Sequence, residues 1–146
     1  MTLADEVRVY VFRHAAATAR VPQALEIAAA LNRTAAEIND ALHQLAAAKV
    51  LILAPNAGQI WAANPFCAVP SGFRVQCAGR NYWGICIWDA LGIAAALASD
   101  AVITASCGDC GESMRFEVRA GQLVEGTGLI HFAVPAYHWW DNIGFT

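Results

Sequence analysis

The hydrophobic spacing of this chain changes character at Asn64-Pro65, and that change constrains the fold more than any other feature. Before it, apolar residues recur at helical intervals. After it, they alternate or form short runs bounded by Gly, Pro and Asn, as strands do. Helices come first and strands second, so the expected class is α+β rather than an alternating α/β fold. The expected division is a helical module over residues 1–63 and a mainly antiparallel β core over residues 64–146.

Three helices and a hairpin are predicted in the first part. Val7, Val11 and Phe12 fall on one face of a first helix, with Tyr10 nearby. Pro22 suits the first turn of a second helix, Gln23 to Leu31, because its missing N–H is no loss there, and Asn32 ends it. Thr34 and Glu37 have the spacing of a capping box, and Ile38, Leu42 and Leu45 follow at helical intervals. Val50 to Leu53 reads as a strand, Pro55 to Gly58 as a turn, and Gln59 to Ala62 as the returning strand. Helix, helix, helix, hairpin is the order of a winged helix, whose third helix often enters the DNA major groove. Here that helix offers Glu37, Asn39, Asp40, His43 and Gln44 before Lys49. Phosphate binding needs positive charge, so a structural or dimerising module is the better reading.

Beyond Pro65, Phe73, Val75 and Cys77 alternate as in a half-buried strand, and Gly79-Arg80-Asn81 is the expected turn into Tyr82-Trp83. A short helix is predicted from Trp88 to Leu97. Val102 to Thr104 and Met114 to Val118 are predicted strands flanking a cysteine loop, and Leu129 to Val134 is a further strand stopped by Pro135. Trp139 and Trp140 fall on a short helical turn, as core or lid packing. The net charge of -3 disfavours a generic nucleic-acid partner. Ala90 to Ala98, the most apolar stretch, is too short to span a bilayer. Asp5 and Glu6 interrupt any leader-like start, and the expected location is the cytoplasm.

Five cysteines then need a reason, since an odd number in a reducing compartment favours thiolate or metal chemistry over disulfides. Cys86-Ile87-Trp88-Asp89 sits where a strand runs into a helix. There the helix dipole is expected to lower the thiol pKa, and the carboxyl can hold or deliver a proton. The same spacing also describes a buried cysteine beside a capping aspartate. Cys107-Gly108-Asp109-Cys110-Gly111 has the shape of a metal knuckle but is half of a zinc ribbon. Cys86, Cys77, Cys67, His131 or His138 could complete it, and a redox dithiol is the other reading. Cys67 and Cys77 are expected to be core cysteines, His131 a core or strand histidine, and His14 and His43 surface residues.

The run Tyr82-Trp83-Gly84-Ile85-Cys86-Ile87-Trp88-Asp89-Ala90-Leu91-Gly92-Ile93-Ala94-Ala95-Ala96-Leu97 resembles the active-site segment of the organomercurial (alkylmercury) lyases. Cys107 lies 21 positions after Cys86, matching a further family cysteine thought to be structural, whereas Cys110 is extra. The winged-helix-like module also fits the family's N-terminal region, so the resemblance covers nearly the whole chain. It implies a lyase-type β core, shortened at its C-terminal end, and cleavage of a carbon–mercury bond by protonolysis, as in mercury resistance and detoxification. Cys86 would be the first thiolate and Asp89 the proton-handling carboxylate, in an apolar pocket lined by residues such as Trp83 and Trp88. Cys86, Asp89, Cys107 and Cys110 are the expected metal-contacting residues.

No cofactor is required on this reading. Mercury is part of substrate and product, with zinc at Cys107 and Cys110 as an alternative occupant. The implied partners are a small organomercurial, cellular thiols for reduction and product release, mercuric reductase as a downstream acceptor, and a second copy in a homodimer, with no membrane. The family's second mercury-binding cysteine would follow Phe145, at Thr146 or past it. Three expectations compete there: a degenerate member, a chain shortened at a selenocysteine codon, or transfer of the second-thiol role to Cys107 or Cys110. A non-catalytic mercury or zinc binder, or a metal-sensing regulator, is the alternative to a lyase.

Overall fold

The structure, a computed structural model, describes residues 1–143. Three helices, α1 (Leu3–Thr18), α2 (Ala24–Leu31) and α3 (Ala35–Ala47), precede every strand. Local chemistry sets their ends. Thr2 with Asp5 and Thr34 with Glu37 close reciprocal capping boxes, each satisfying N–H groups that a helix start leaves unpaired. Asn32 takes the left-handed conformation that ends α2, one asparagine tolerates better than most residues. α2 starts one residue later than expected, with Gln23 as its N-cap and Pro22 outside. The Gln23 side chain is engaged elsewhere. Its Nε2 donates to Ile60 O at 3.1 Å, and its Oε1 accepts from Ile60 N at 2.9 Å.

That amide tethers α2 to a small antiparallel sheet of β1 (Ile52–Leu53), β2 (Ile60–Ala63) and β3 (Phe66–Cys67), in the order β1-β2-β3. The larger sheet contains β4 (Phe73–Cys77), β5 (Arg80–Gly84), β6 (Ala101–Ser106), β7 (Ser113–Arg119) and β8 (Gln122–Glu125). Its order is β5-β4-β6-β7-β8, antiparallel throughout. The fourth helix, α4 (Ile87–Ala96), packs across β4, β5 and β6. The class is α+β. Among the described residues no helix is long and apolar enough to cross a membrane.

Period-two alternation decides which face of the large sheet is buried. Val75 pairs with both Ile103 and Tyr82, and all three are buried beneath Ala90, Ile93 and Ala94 of α4. Each large apolar side chain buried in this way contributes about 1.5–3 kcal/mol. The same hydrophobic cluster continues through Val7, Val11, Ile27, Ile38 and Leu42 of the first three helices. Tyr82 ties the two regions together, its hydroxyl donating to Ala16 O near the end of α1 at 2.7 Å.

Two sequence expectations are corrected. The hairpin turn is Ala78-Gly79, both at positive φ (49° and 72°), while Arg80 and Asn81 already lie in β5, paired with Cys77 and Gln76. Left-handed conformations at both central residues are what a two-residue hairpin needs to match strand twist. Leu129 to Val134 forms no strand. β8 already occupies that side of β7, and Gly126 and Gly128 (φ +107° and +149°) turn the chain away. The segment leads instead into a short 3-10 helix, Ala136–Asp141.

Candidate active site

The link between β5 and α4 is short because Gly84 permits it. A β-carbon there would come within 2.8 Å of Ala90 N and 3.1 Å of Cys86 O, both backbone atoms. Only glycine lets the strand end lie this close to the first turn of the helix. Cys86 is the N-cap of α4, in extended conformation, and Asp89 stands three residues on, in the first turn. The Cys86 thiol donates to Asp89 Oδ2 at an Sγ–O distance of 3.7 Å.

Asp89 is 9% exposed and is the one charged side chain in the buried class among the described residues. Burial pushes its pKa above the usual carboxylate value, and donors from the Cys86 thiol and the Ile85 and Cys86 N–H groups only partly offset this. Burial also raises the Cys86 thiol. The expected lowering by the helix dipole does not prevail. The N–H groups of Asp89 and Trp88 oppose the shift without closing a cap hydrogen bond, and the Asp89 carboxylate adds to it. Desolvation of a charge outweighs a helix-end partial charge once the group leaves water. Burial thus shifts both members of the pair toward their protonated forms.

Cys67 on β3 is buried, its thiol donating to Trp61 O at 3.8 Å. Burial raises its pKa and the Asp89 carboxylate raises it further, so this thiol lies within Asp89's electrostatic reach. Cys77 is raised by burial and, secondarily, by Asp100.

Trp88 points outward, 59% exposed, and meets Phe132 edge-on with ring centroids 6.3 Å apart. Phe132 in turn packs on Trp139 at 4.9 Å. With Ile130, Val134 and Pro135, these rings line an open, mainly apolar cleft of about 520 Å³. Trp83 is not among its lining residues; it is half-buried on β5, opposite Arg74. The cleft is not apparent from the sequence, because the composition of Leu129 to Val134 suggests a strand and hides the role of Phe132. His131 lines the same cleft and is exposed rather than held in a strand.

Cys107 and Cys110 lie on the β6–β7 turn, the first half-buried and the second exposed, and all five cysteines are free thiols. N–H groups of Cys110 and Asp109 donate toward the Cys107 sulfur, as does the Cys110 side chain, lowering its pKa. Among the described residues no three His, Cys, Asp or Glu side chains are grouped closely enough to hold a metal ion. Cys86–Asp89 and Cys107–Cys110 are thus two pairs. The positions of Phe145 and Thr146, where the family's second cysteine was expected, lie outside the described residues.

A half-buried cysteine beside a buried carboxyl at a helix start, on an antiparallel sheet preceded by three helices, defines a thiol-bearing site. The sequence pattern of the alkylmercury lyases (MerB) matches residues 66–146, and the chain belongs to that family. The fold agrees. The crystal structure of the mercury-bound form of MerB2 superposes with a TM-score of 0.68 at 17% identity, covering 87% of this chain. The chain spans 61% of that protein's length. No curated protein matches the sequence significantly.

Proposed function

We propose that this chain cleaves carbon–mercury bonds by thiolate coordination and protonolysis, releasing a hydrocarbon and leaving Hg(II) on sulfur. The observation that carries the reading is the Cys86–Asp89 contact at the start of α4 in a member of the alkylmercury lyase family. Cys86 would exchange its proton for the organomercury cation, forming a sulfur–mercury bond. Mercury is soft and prefers thiolate sulfur to oxygen ligands. Asp89 would then deliver its proton to carbon. The electron pair of the carbon–mercury bond becomes the new C–H bond, and the carboxylate left behind faces a cationic metal. A second thiolate on mercury would weaken its bond to carbon; Cys67, whose thiol the Asp89 carboxylate helps to raise, is a candidate for it beside Cys107 and Cys110. The organic group would lie against Trp88, Phe132 and Trp139.

No cofactor enters this chemistry. Cytoplasmic thiols would keep the cysteines reduced and carry mercury away, with mercuric reductase as a downstream acceptor. The three-helix module and the β1–β2 hairpin would act as a winged-helix-like scaffold. The face of α3 carrying Glu37, Asp40, His43 and Gln44 is exposed and lacks the basic residues that DNA phosphates require.

The test is a single-turnover incubation of the reduced protein with phenylmercury or methylmercury, following benzene or methane by gas chromatography. Hydrocarbon from the native chain and none from Cys86→Ser is the expected result. Stoichiometric mercury uptake with no hydrocarbon would overturn the lyase reading in favour of a thiol-based metal binder. Undiminished turnover in Cys86→Ser would remove Cys86 from the mechanism.

A further inference from the structure

The β6–β7 turn carries two thiols that the Cys86–Asp89 site does not use. β6 and β7 remain paired up to Ser106 and Ser113, so the six residues between them are clamped at both ends. Inside the turn, Cys107 N donates to Glu112 O at 2.8 Å and Gly111 N donates to Cys107 O at 2.9 Å. Gly111 reverses the chain at φ +73°. These bonds fold the backbone over Cys107, and the N–H groups of Asp109 and Cys110 are directed at its sulfur together with the Cys110 side chain. The loop is tied by backbone hydrogen bonds where it holds the sulfurs and open around its glycines. A β-carbon on Gly108 or Gly111 would meet nothing within 4 Å.

The donor count decides which ion such a pair can take. A structural zinc site needs four ligands, and no third His, Cys, Asp or Glu joins the pair among the described residues. A soft ion satisfied by two thiolates has no such need, and softness selects sulfur. We propose that Cys107 and Cys110 form a two-thiolate chelate for a soft, two-coordinate cation, Hg(II) foremost, on the outer β6–β7 turn and separate from the Cys86–Asp89 pair. Binding exchanges two S–H bonds for two Hg–S bonds and releases two protons, with no change in oxidation state. The exposure of Cys110 leaves the ion open to attack by incoming thiols, so the turn holds inorganic mercury in exchangeable form. The chelate requires no turnover and stands whether or not the chain is a lyase.

The experiment uses the full, reduced chain carrying Cys86→Ser, given one equivalent of mercuric chloride in excess glutathione and then desalted. One mercury per chain should be retained, with two sulfur neighbours by X-ray absorption at the mercury edge. Maleimide labelling mapped by peptide mass spectrometry should show Cys107 and Cys110 protected together. Adding Cys110→Ser, or separately Cys107→Ser, should weaken retention about 100-fold or more, because a chelate becomes a single thiolate. Circular dichroism of these exposed-loop variants checks that they are folded. Retention unchanged by either serine, protection mapping to Cys67 or Cys77, or preferred uptake of Cu(I) over Hg(II) in direct competition would overturn the proposal. Hydrocarbon release by the native chain is read separately, so turnover without retention on the turn sinks only this inference, and retention without turnover sinks only the lyase reading.

Discussion

Gly84→Ala tests whether the backbone joint between β5 and α4 holds the candidate site together. The new methyl would lie 2.8 Å from Ala90 N, 3.1 Å from Cys86 O and 3.2 Å from Ala90 Cα. Unstrained carbon contacts begin at about 3.5 Å, and none of these atoms can rotate away because all are backbone. The first turn of α4 must therefore withdraw by roughly half an ångström. The Ala90 N to Cys86 O hydrogen bond, 3.0 Å long, joins two of the contacted residues and moves with it. Overpacking of this kind costs about 1–3 kcal/mol, a large part of a total stability of roughly 5–15 kcal/mol. With a urea dependence of about 2 kcal/mol per molar, the unfolding midpoint should fall by about 0.5–1.5 M. Gly72→Ala is the control, since nothing lies within 4 Å of its β-carbon and its φ is not positive. Its midpoint should correspond to a change of no more than about 0.5 kcal/mol. Cys86 should also alkylate faster in Gly84→Ala, as its cover loosens. Equal midpoints for the two variants would refute the claim that strand and helix are in limiting contact.

Asp89→Asn should stabilise the fold at neutral pH while removing turnover. The raised native pKa of Asp89 favours the native state when the group is protonated; that stability is complete below the unfolded pKa of about 3.8 and is lost as pH rises through the higher native value. Urea midpoints at pH 3.5 and 7.5 should show the variant's advantage only at the higher pH, and an advantage at both would contradict the assignment. Tyr82→Phe should cost about 1–2 kcal/mol, because Ala16 O loses its 2.7 Å donor in a buried setting, lowering Tm by roughly 3–7 °C; a change below 1 °C would mean that water replaces the hydroxyl. Iodoacetamide at pH 7 should label Cys107 before Cys86, Cys67 and Cys77, following one lowered and three raised thiol pKa values, as time-resolved peptide mass spectrometry would show.

What was legible in the sequence is what neighbours along the chain decide. The Thr34–Glu37 box, the Asn32 stop and the alternation of Phe73, Val75 and Cys77 are local rules, and the structure keeps them. β3 and β8 went unread because a two-residue strand and an exposed strand carry little apolar signal of their own; their partners in β2 and β7 make them strands. Leu129 to Val134 failed for the converse reason. Its composition suits a strand, but β8 had taken the edge it needed. At the site, the three-residue spacing of Cys86 and Asp89 and its place at a helix start are visible in the sequence, but the direction of the thiol shift is not, because it is set by burial. The aromatic cleft was not, because Phe132 and Trp139 reach Trp88 from a stretch of chain more than 40 positions away.

The direction of the Cys86 shift bears on what the proposed site can select. A thiol raised by burial is a poor nucleophile toward ordinary electrophiles at neutral pH, since only the thiolate attacks. Mercury differs, because the strength of the sulfur–metal bond drives off the thiol proton as the bond forms. On the proposed reading, a half-buried, protonated cysteine would act as a filter: slow toward alkylating and oxidising reagents, and open to a soft cation that can displace the proton. Asp89 would meet the complementary requirement of the proposed reaction. Protonolysis needs an acid that still holds its proton near neutral pH, and burial moves a carboxyl toward that condition. On the proposed reading, the same desolvation that raises the Cys86 thiol would favour the protonated form of Asp89, whose carboxyl oxygen lies 3.7 Å from the sulfur. Opening the pair to water would weaken both properties at once, so on the proposed reading the close Gly84 joint would serve the chemistry as well as the fold.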